Sequence, residues 1–228
     1  YNKTGGEILT LAANTLGVLY IVEKGDTVQS MADLAGKKIL AAGQGSTPEY
    51  VINYLLEKNG LTGSVEVEYV SEHAEAVTQL AAGSADLILV PEPFVTTALS
   101  KVEGARVALD LTQEWAKVSD ADMVMGCLVV SKAFAEADPQ ALRHFMTQYA
   151  VSADYCTSHP AEAAALIEKF GIMGSAALAE KAIPNCNIVC VTGQEMVDMV
   201  TGMLTVLFDA NPKSVGGSLP GEEMFYLG

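Results

Sequence analysis

The feature that most constrains this chain is a fourfold alternation of short apolar runs with amphipathic stretches between residues 37 and 111. Residues 38–42, 65–70, 86–90 and 107–111 read as strands. The stretches between them place apolar residues at helical spacing: Val51, Ile52, Leu55 and Leu56, then Ala74, Val77, Leu80 and Ala81. Gly60 and Gly83 stand where those helices should stop. A β-α-β-α-β-α-β rhythm predicts a parallel sheet with helices on both faces. Beyond residue 123 the pattern changes to one strand (125–131) followed by helices. Asp138-Pro139 and Pro160 open two of these, residues 175–182 form a short third, and Thr192-Gly193-Gln194-Glu195 reads as a capping box for the last. The tail, 212–228, reads as a loop. The fold class expected is therefore α/β, with parallel-rich sheets flanked by helices. Residues 24–120 form one lobe, and 1–23 with 121–228 form the other.

The second grouping contains only three strands, 8–13, 18–23 and 125–131, against four or five helices. Three strands cover little apolar helix surface, and the chain opens on Tyr1 rather than Met. We therefore expect the first βαβ units of that lobe, each about 30 residues, to lie outside this sequence.

Charge excludes one class of partner. With 28 acidic and 13 basic residues, the chain carries a formal charge of −15, which repels a phosphate backbone, so no nucleic-acid partner is expected. No apolar run is long enough to span a bilayer. Of the four cysteines, Cys127 sits in an apolar run and reads as buried; Cys186 and Cys190 are spaced C-x3-C with no second pair and no nearby histidine, a weak metal signal, and a disulfide among Cys156, Cys186 and Cys190 stays open. His73, His144 and His159 belong to no nucleophile–base or zinc motif, and each reads as structural or surface-lying. No catalytic residue, metal ligand or cofactor is expected.

Open α/β sheets bind ligands at the carboxyl ends of their strands. The loop Gly43-Gln44-Gly45-Ser46-Thr47 lies at one such end, offering backbone N–H groups, two hydroxyls and a helix N-terminus, suited to a sulfonate, carboxylate or phosphate. Against that reading, Ser46 and Glu49 have capping-box spacing, which would satisfy the same donors internally. At the next strand end, two prolines flank Glu92 in Pro91-Glu92-Pro93-Phe94, where a carboxylate would meet a ligand cation or serve only as a turn residue. Asn14 and Thr15 follow the first strand as a polar pair. Trp115, the single tryptophan, either stacks on a flat ligand or packs between the lobes.

Taken in order, G-x-G-S-T-P-E-Y, then E-A-V-x-Q-L-A-A-G-x-A-D-L running into P-E-P-F, then F-A-E-A-D-P-Q-A-L-R-H-F and H-P-A-E-A-A-A-L-I form a pattern. It resembles the solute-binding proteins of the nitrate, sulfonate, taurine and thiamine-precursor group, over essentially the whole chain. The resemblance implies a type II periplasmic binding fold and an extracytoplasmic protein, free or lipid-anchored. It implies a monomer that closes two lobes on a small ligand (a sulfonate, a carboxylate or a thiamine precursor) and delivers it to an ABC permease. By position, Gly43–Thr47, Glu92 to Phe94, Asn14 and Thr15 would face the cleft. These loops depart from the group in holding no Arg or Lys, which disfavours nitrate. Two rivals share the fold. A thiamine-pyrimidine synthase would need a cysteine cluster with a histidine and lysine. The effector region of a LysR-type regulator would need a helix-turn-helix upstream.

Overall fold

The computed structural model describes all of residues Tyr1–Gly228. In chain order the elements are β1 (Ile8–Thr15), β2 (Leu19–Lys24), β3 (Lys38–Ala42), α1 (Thr47–Lys58), β4 (Glu66–Val70), α2 (His73–Ala82), β5 (Leu87–Pro91), α3 (Phe94–Lys101), β6 (Ala105–Asp110) and α4 (Leu111–Ala116). They continue with β7 (Gly126–Ser131), α5 (Lys132–Ala137), α6 (Pro139–Ser158), α7 (Pro160–Lys169), α8 (Ala176–Ala182), β8 (Ile188–Val191) and α9 (Gly193–Ala210). The chain divides into two units, one made of Tyr1–Gly17 with Ala121–Gly228, the other of Val18–Asp120.

The Val18–Asp120 unit is built on a five-stranded sheet in the order β4-β3-β5-β2-β6. β3 runs parallel to β4 and β5, whereas β2 runs antiparallel to β5 and β6. β3 and β5 are buried over nearly their whole length, as continuous apolar runs between two helical layers should be. The apolar faces read from the sequence are the ones buried: Val51, Ile52, Leu55 and Leu56 on α1, and Ala76, Val77 and Leu80 on α2. Gly83 ends α2 in the left-handed region at φ 73°, its N–H bonded back to the last turn. Tyr20, Leu40, Val77, Leu80, Ile88 and Val90 meet in one core cluster.

This sheet corrects one expectation. β2 was grouped with the other lobe, yet its residues Leu19 to Glu23 pair with Pro91 to Leu87, and the unit boundary falls after Gly17. An apolar run shows that a strand exists, but its partners are set by long-range packing.

In the other unit the sheet is β7-β1-β8, and β1 is antiparallel to both neighbours. Among the strands of the two sheets, parallel pairing is confined to β3, β4 and β5. Alternating half-buried and exposed residues along β7 suit an antiparallel edge strand with one wet face. That alternation also explains Cys127, which is exposed rather than buried; none of the four cysteines is joined in a disulfide. Asp138 caps α6 by accepting from the Ala141 N–H at 2.9 Å, and Ser175 caps α8. The box expected at Thr192 and Glu195 is absent, since the Thr192 side chain caps nothing. The tail is more ordered than a loop. It holds two short 3-10 helices and buries Met224 and Phe225, and Tyr226 donates its N–H to the Thr10 carbonyl at 2.9 Å.

Candidate functional site

At the carboxyl end of β3 the chain enters a self-bonded loop. Gly43 takes φ 87°, and a side chain there would meet Ser46 Oγ at 2.8 Å. The Ser46 hydroxyl and N–H both donate to the Gly43 carbonyl, at 2.6 and 3.1 Å. Glu49 reaches past Ser46 to accept the Gly45 N–H. Ser46 therefore caps no N–H of α1 with its side chain, and the reciprocal box expected with Glu49 does not form. Gln44, Gly45 and Ser46 stay exposed, and Gly43 and Thr47 are half-buried.

β4 ends beside β3, its parallel neighbour. A cleft of about 480 Å³ opens between these strand ends, lined by Gly43, Gln44, Tyr69, Val70, Ser71 and Glu75. The Tyr69 hydroxyl is buried and has no hydrogen-bond partner. Burial, with the nearby Glu49 charge adding to it, pushes its pKa up to about 12, so it is a neutral O–H at physiological pH. His73 opens α2; its Nδ1 is likewise buried and unpartnered, and its ring centroid lies 5.3 Å from that of Phe94. Burial holds the imidazole below its usual pKa, against the opposing charge of Glu72. A buried polar atom without a partner costs about 1–3 kcal/mol, so the Tyr69 hydroxyl marks a place in the cleft wall where polar company is wanted.

The next two strand ends differ. Glu92 is only 8% exposed, and its carboxylate accepts from the Thr96 N–H at 3.1 Å and the Thr96 hydroxyl at 3.0 Å. It caps α3, and burial raises its pKa more than the two Thr96 bonds lower it. The Glu92–Pro93 peptide is cis. Phe94 is half-buried on the core cluster. Asp110 ends β6 and caps α4 through the Thr112 and Gln113 N–H groups. Trp115 is 2% exposed and packs on Tyr54, with ring centroids 4.6 Å apart. The ring packs inside the Val18–Asp120 unit and has no open face to give a ligand.

In the first unit, Asn14 and Thr15 are the last residues of β1 rather than a pair after it, both half-buried, with the Thr15 hydroxyl donating to Asn14 Oδ1 at 3.3 Å. Gly126 faces them; a Cβ there would lie 2.5 Å from Asn14 Oδ1.

Of the residues singled out in the second unit, Gly43 and Gln44 line the cleft, with Gly45, Ser46 and Thr47 following in the same loop; Glu92 and Trp115 are engaged elsewhere. Sequence reasoning missed Tyr69, Val70, Ser71 and Glu75. Tyr69 and Ser71 stand at the carboxyl end of the second strand of the repeat, where the strand-end rule alone points to them. The cleft offers hydroxyls, a carboxamide and a carboxylate, and no lysine or arginine lines it. No group of three His, Cys, Asp or Glu stands close enough to hold a metal ion.

The family model described as NMT1/THI5 like matches residues 7–163. No curated protein matches. Among solved structures, an ABC transporter from Parabacteroides distasonis is 26% identical with a TM-score of 0.78, over 99% of this chain and 76% of that one. The periplasmic aliphatic sulphonate binding protein SsuA from Escherichia coli is 16% identical with a TM-score of 0.72, over 97% of this chain and 72% of that one. The alkanesulfonate-binding protein SsuA from Xanthomonas axonopodis pv. citri, bound to MOPS, is 19% identical with a TM-score of 0.66, over 96% and 72%. These likenesses agree with the two-unit α/β architecture derived above, and the matched residues take in most of the chain: it belongs to the NMT1/THI5-like family and has the type II periplasmic-binding-protein fold.

Proposed function

We propose that this chain is the solute-binding component of an ABC importer, an extracytoplasmic protein that captures a small polar molecule and releases it, unchanged, to a permease. The observation that carries this reading is the cleft at the carboxyl ends of β3 and β4, where the buried Tyr69 hydroxyl lacks a partner. Family membership and the likeness to an ABC transporter and to sulfonate-binding proteins support it. Tyr69, the Gln44 amide and the hydroxyls of Thr47 and Ser71 offer donors to an acceptor group of the ligand, a sulfonate, a carboxylate or the ring nitrogen of a thiamine precursor. The Glu75 carboxylate takes a donor on the same molecule. Capture works by burying that molecule among a few fixed polar groups.

A thermal-shift panel of alkanesulfonates, carboxylates and aminopyrimidines tests the reading. A ligand at a hundred times its Kd adds about 2.7 kcal/mol to stability, a readily measured rise in Tm. The bound compound is then recovered and identified by mass spectrometry. No rise with any class, or a recovered compound that has been chemically changed, would sink the proposal. Fractionation of the native protein tests its place, and recovery solely from the cytosol would overturn that part.

A further inference from the structure

A second cavity, of about 360 Å³, opens at the opposite end of the same sheet, where β3 and β5 begin and β2 ends. It is the size of a small-molecule site. Lys24, Lys37 and Lys38 stand on its wall. In a chain with 13 basic residues against 28 acidic ones, three lysines around one cavity run against the general charge.

The acids on the wall are mostly spoken for. Glu23 is 2% exposed, and its carboxylate accepts from the Thr27 N–H at 2.9 Å, the Thr27 hydroxyl at 2.5 Å, the Val28 N–H at 3.2 Å and Arg106 at 2.7 Å. Glu68 is paired with Lys38. The Thr27 hydroxyl, its proton given to Glu23, accepts from Lys37 Nζ at 2.7 Å, which fixes that ammonium and leaves it two more N–H donors. Lys24 takes part in none of the ion pairs. Two ammonium groups therefore face a single uncommitted wall carboxylate, Asp86, above the buried side chains of Leu40 and Leu87.

We infer that this cavity is a second binding site, for a small organic monocarboxylate. Its anionic end lies between Lys24 and Lys37, and its short carbon chain lies on Leu40 and Leu87. The opposing charge of Asp86 disfavours a dianion such as phosphate.

The test is an amide NMR titration of the whole chain with butyrate, with inorganic phosphate and sodium chloride as separate arms. Butyrate should give saturable shifts at the amides of Lys24, Thr27, Lys37 and Asp86, with phosphate at least about tenfold weaker. Lys24→Gln and Lys37→Gln should each weaken butyrate about tenfold, the loss of one charged hydrogen bond, with spectra unchanged elsewhere. Shifts that never saturate, that sodium chloride reproduces, that phosphate matches, or that survive in both variants would overturn the assignment.

Discussion

Glu23→Gln is the sharpest probe of the larger sheet. The carboxylate sits at the end of β2 among four donors, one of them the Arg106 guanidinium, which is itself 29% exposed. Each hydrogen bond to a charged group contributes about 1.5–3 kcal/mol, not additively. A glutamine keeps one acceptor oxygen for Thr27, but it turns an amide NH₂ toward donors on the other side and leaves Arg106 without its buried partner. Partial exposure of Arg106 softens that loss. We expect the variant to lose about 2–4 kcal/mol. Trp115, the only tryptophan, lies in the same unit, so its fluorescence through a urea titration reports this unit directly. At a slope of about 2–3 kcal/mol/M, the midpoint should fall by about 1 M at pH 7. The pH dependence has a fixed sign. Burial raises the Glu23 pKa, but the Thr27 hydroxyl and N–H, the Val28 N–H and the Arg106 charge outweigh it and hold the carboxyl below its ordinary value. Its stabilisation is then complete above the unfolded pKa of about 4.3 and is lost as pH falls through the lower folded value. The gap between wild type and variant should narrow below about pH 4. Equal midpoints at pH 7, or a gap that widens on acidification, would refute this account.

Three further outcomes follow from the same geometry. Trp115→Ala should cost about 3–5 kcal/mol in a urea melt followed by circular dichroism, because the ring is buried against Tyr54; a loss under about 1 kcal/mol would place the ring at the surface. Glu92→Gln should change stability by no more than about 1 kcal/mol. Burial raises its pKa more than Thr96 lowers it, so the native state holds the charged form less well than the unfolded chain does. Wild type should thus gain stability as pH falls toward the raised pKa and the variant should not, a difference read from melts at pH 5 and 8. Gly126→Ala should destabilise by about 1–3 kcal/mol, because its Cβ would lie 2.5 Å from Asn14 Oδ1. Melts of the double variant with Asn14→Ala should recover most of that loss, and no recovery would assign the strain to Thr15, whose Oγ1 and Cβ would lie 3.1 and 3.2 Å from the new Cβ.

Much of this was legible in the sequence because periodicity is local. The apolar spacing on α1 and α2, the prolines opening α6 and α7 and the glycine ending α2 mark real elements. What pairs with what is not local. β2 was assigned to the wrong unit because its run Leu19 to Glu23 suits any sheet, and only the register with β5 and β6 decides. Two capping boxes matched in spacing and neither formed. At Ser46 the hydroxyl proton goes to the Gly43 carbonyl, and at Thr192 the side chain caps nothing. The site was half readable. The glycine loop after β3 announces itself, but Tyr69 reads as one more residue in an alternating strand until the burial of its hydroxyl is seen. Glu92 is legible as a cap because Thr96 stands four residues on, whereas the flanking prolines by themselves suggest a turn.

The central claim, that the cleft between the β3 and β4 ends holds a small polar ligand, is tested most directly by calorimetric titration of wild type and Tyr69→Phe, using the tightest compound from the thermal-shift panel. Removing an orphaned buried hydroxyl should leave the unliganded protein as stable as before or more so. The same change should weaken binding by about 0.5–1.5 kcal/mol, a several-fold rise in Kd. Binding unaltered in Tyr69→Phe and in Gln44→Ala would contradict the account and put the ligand elsewhere.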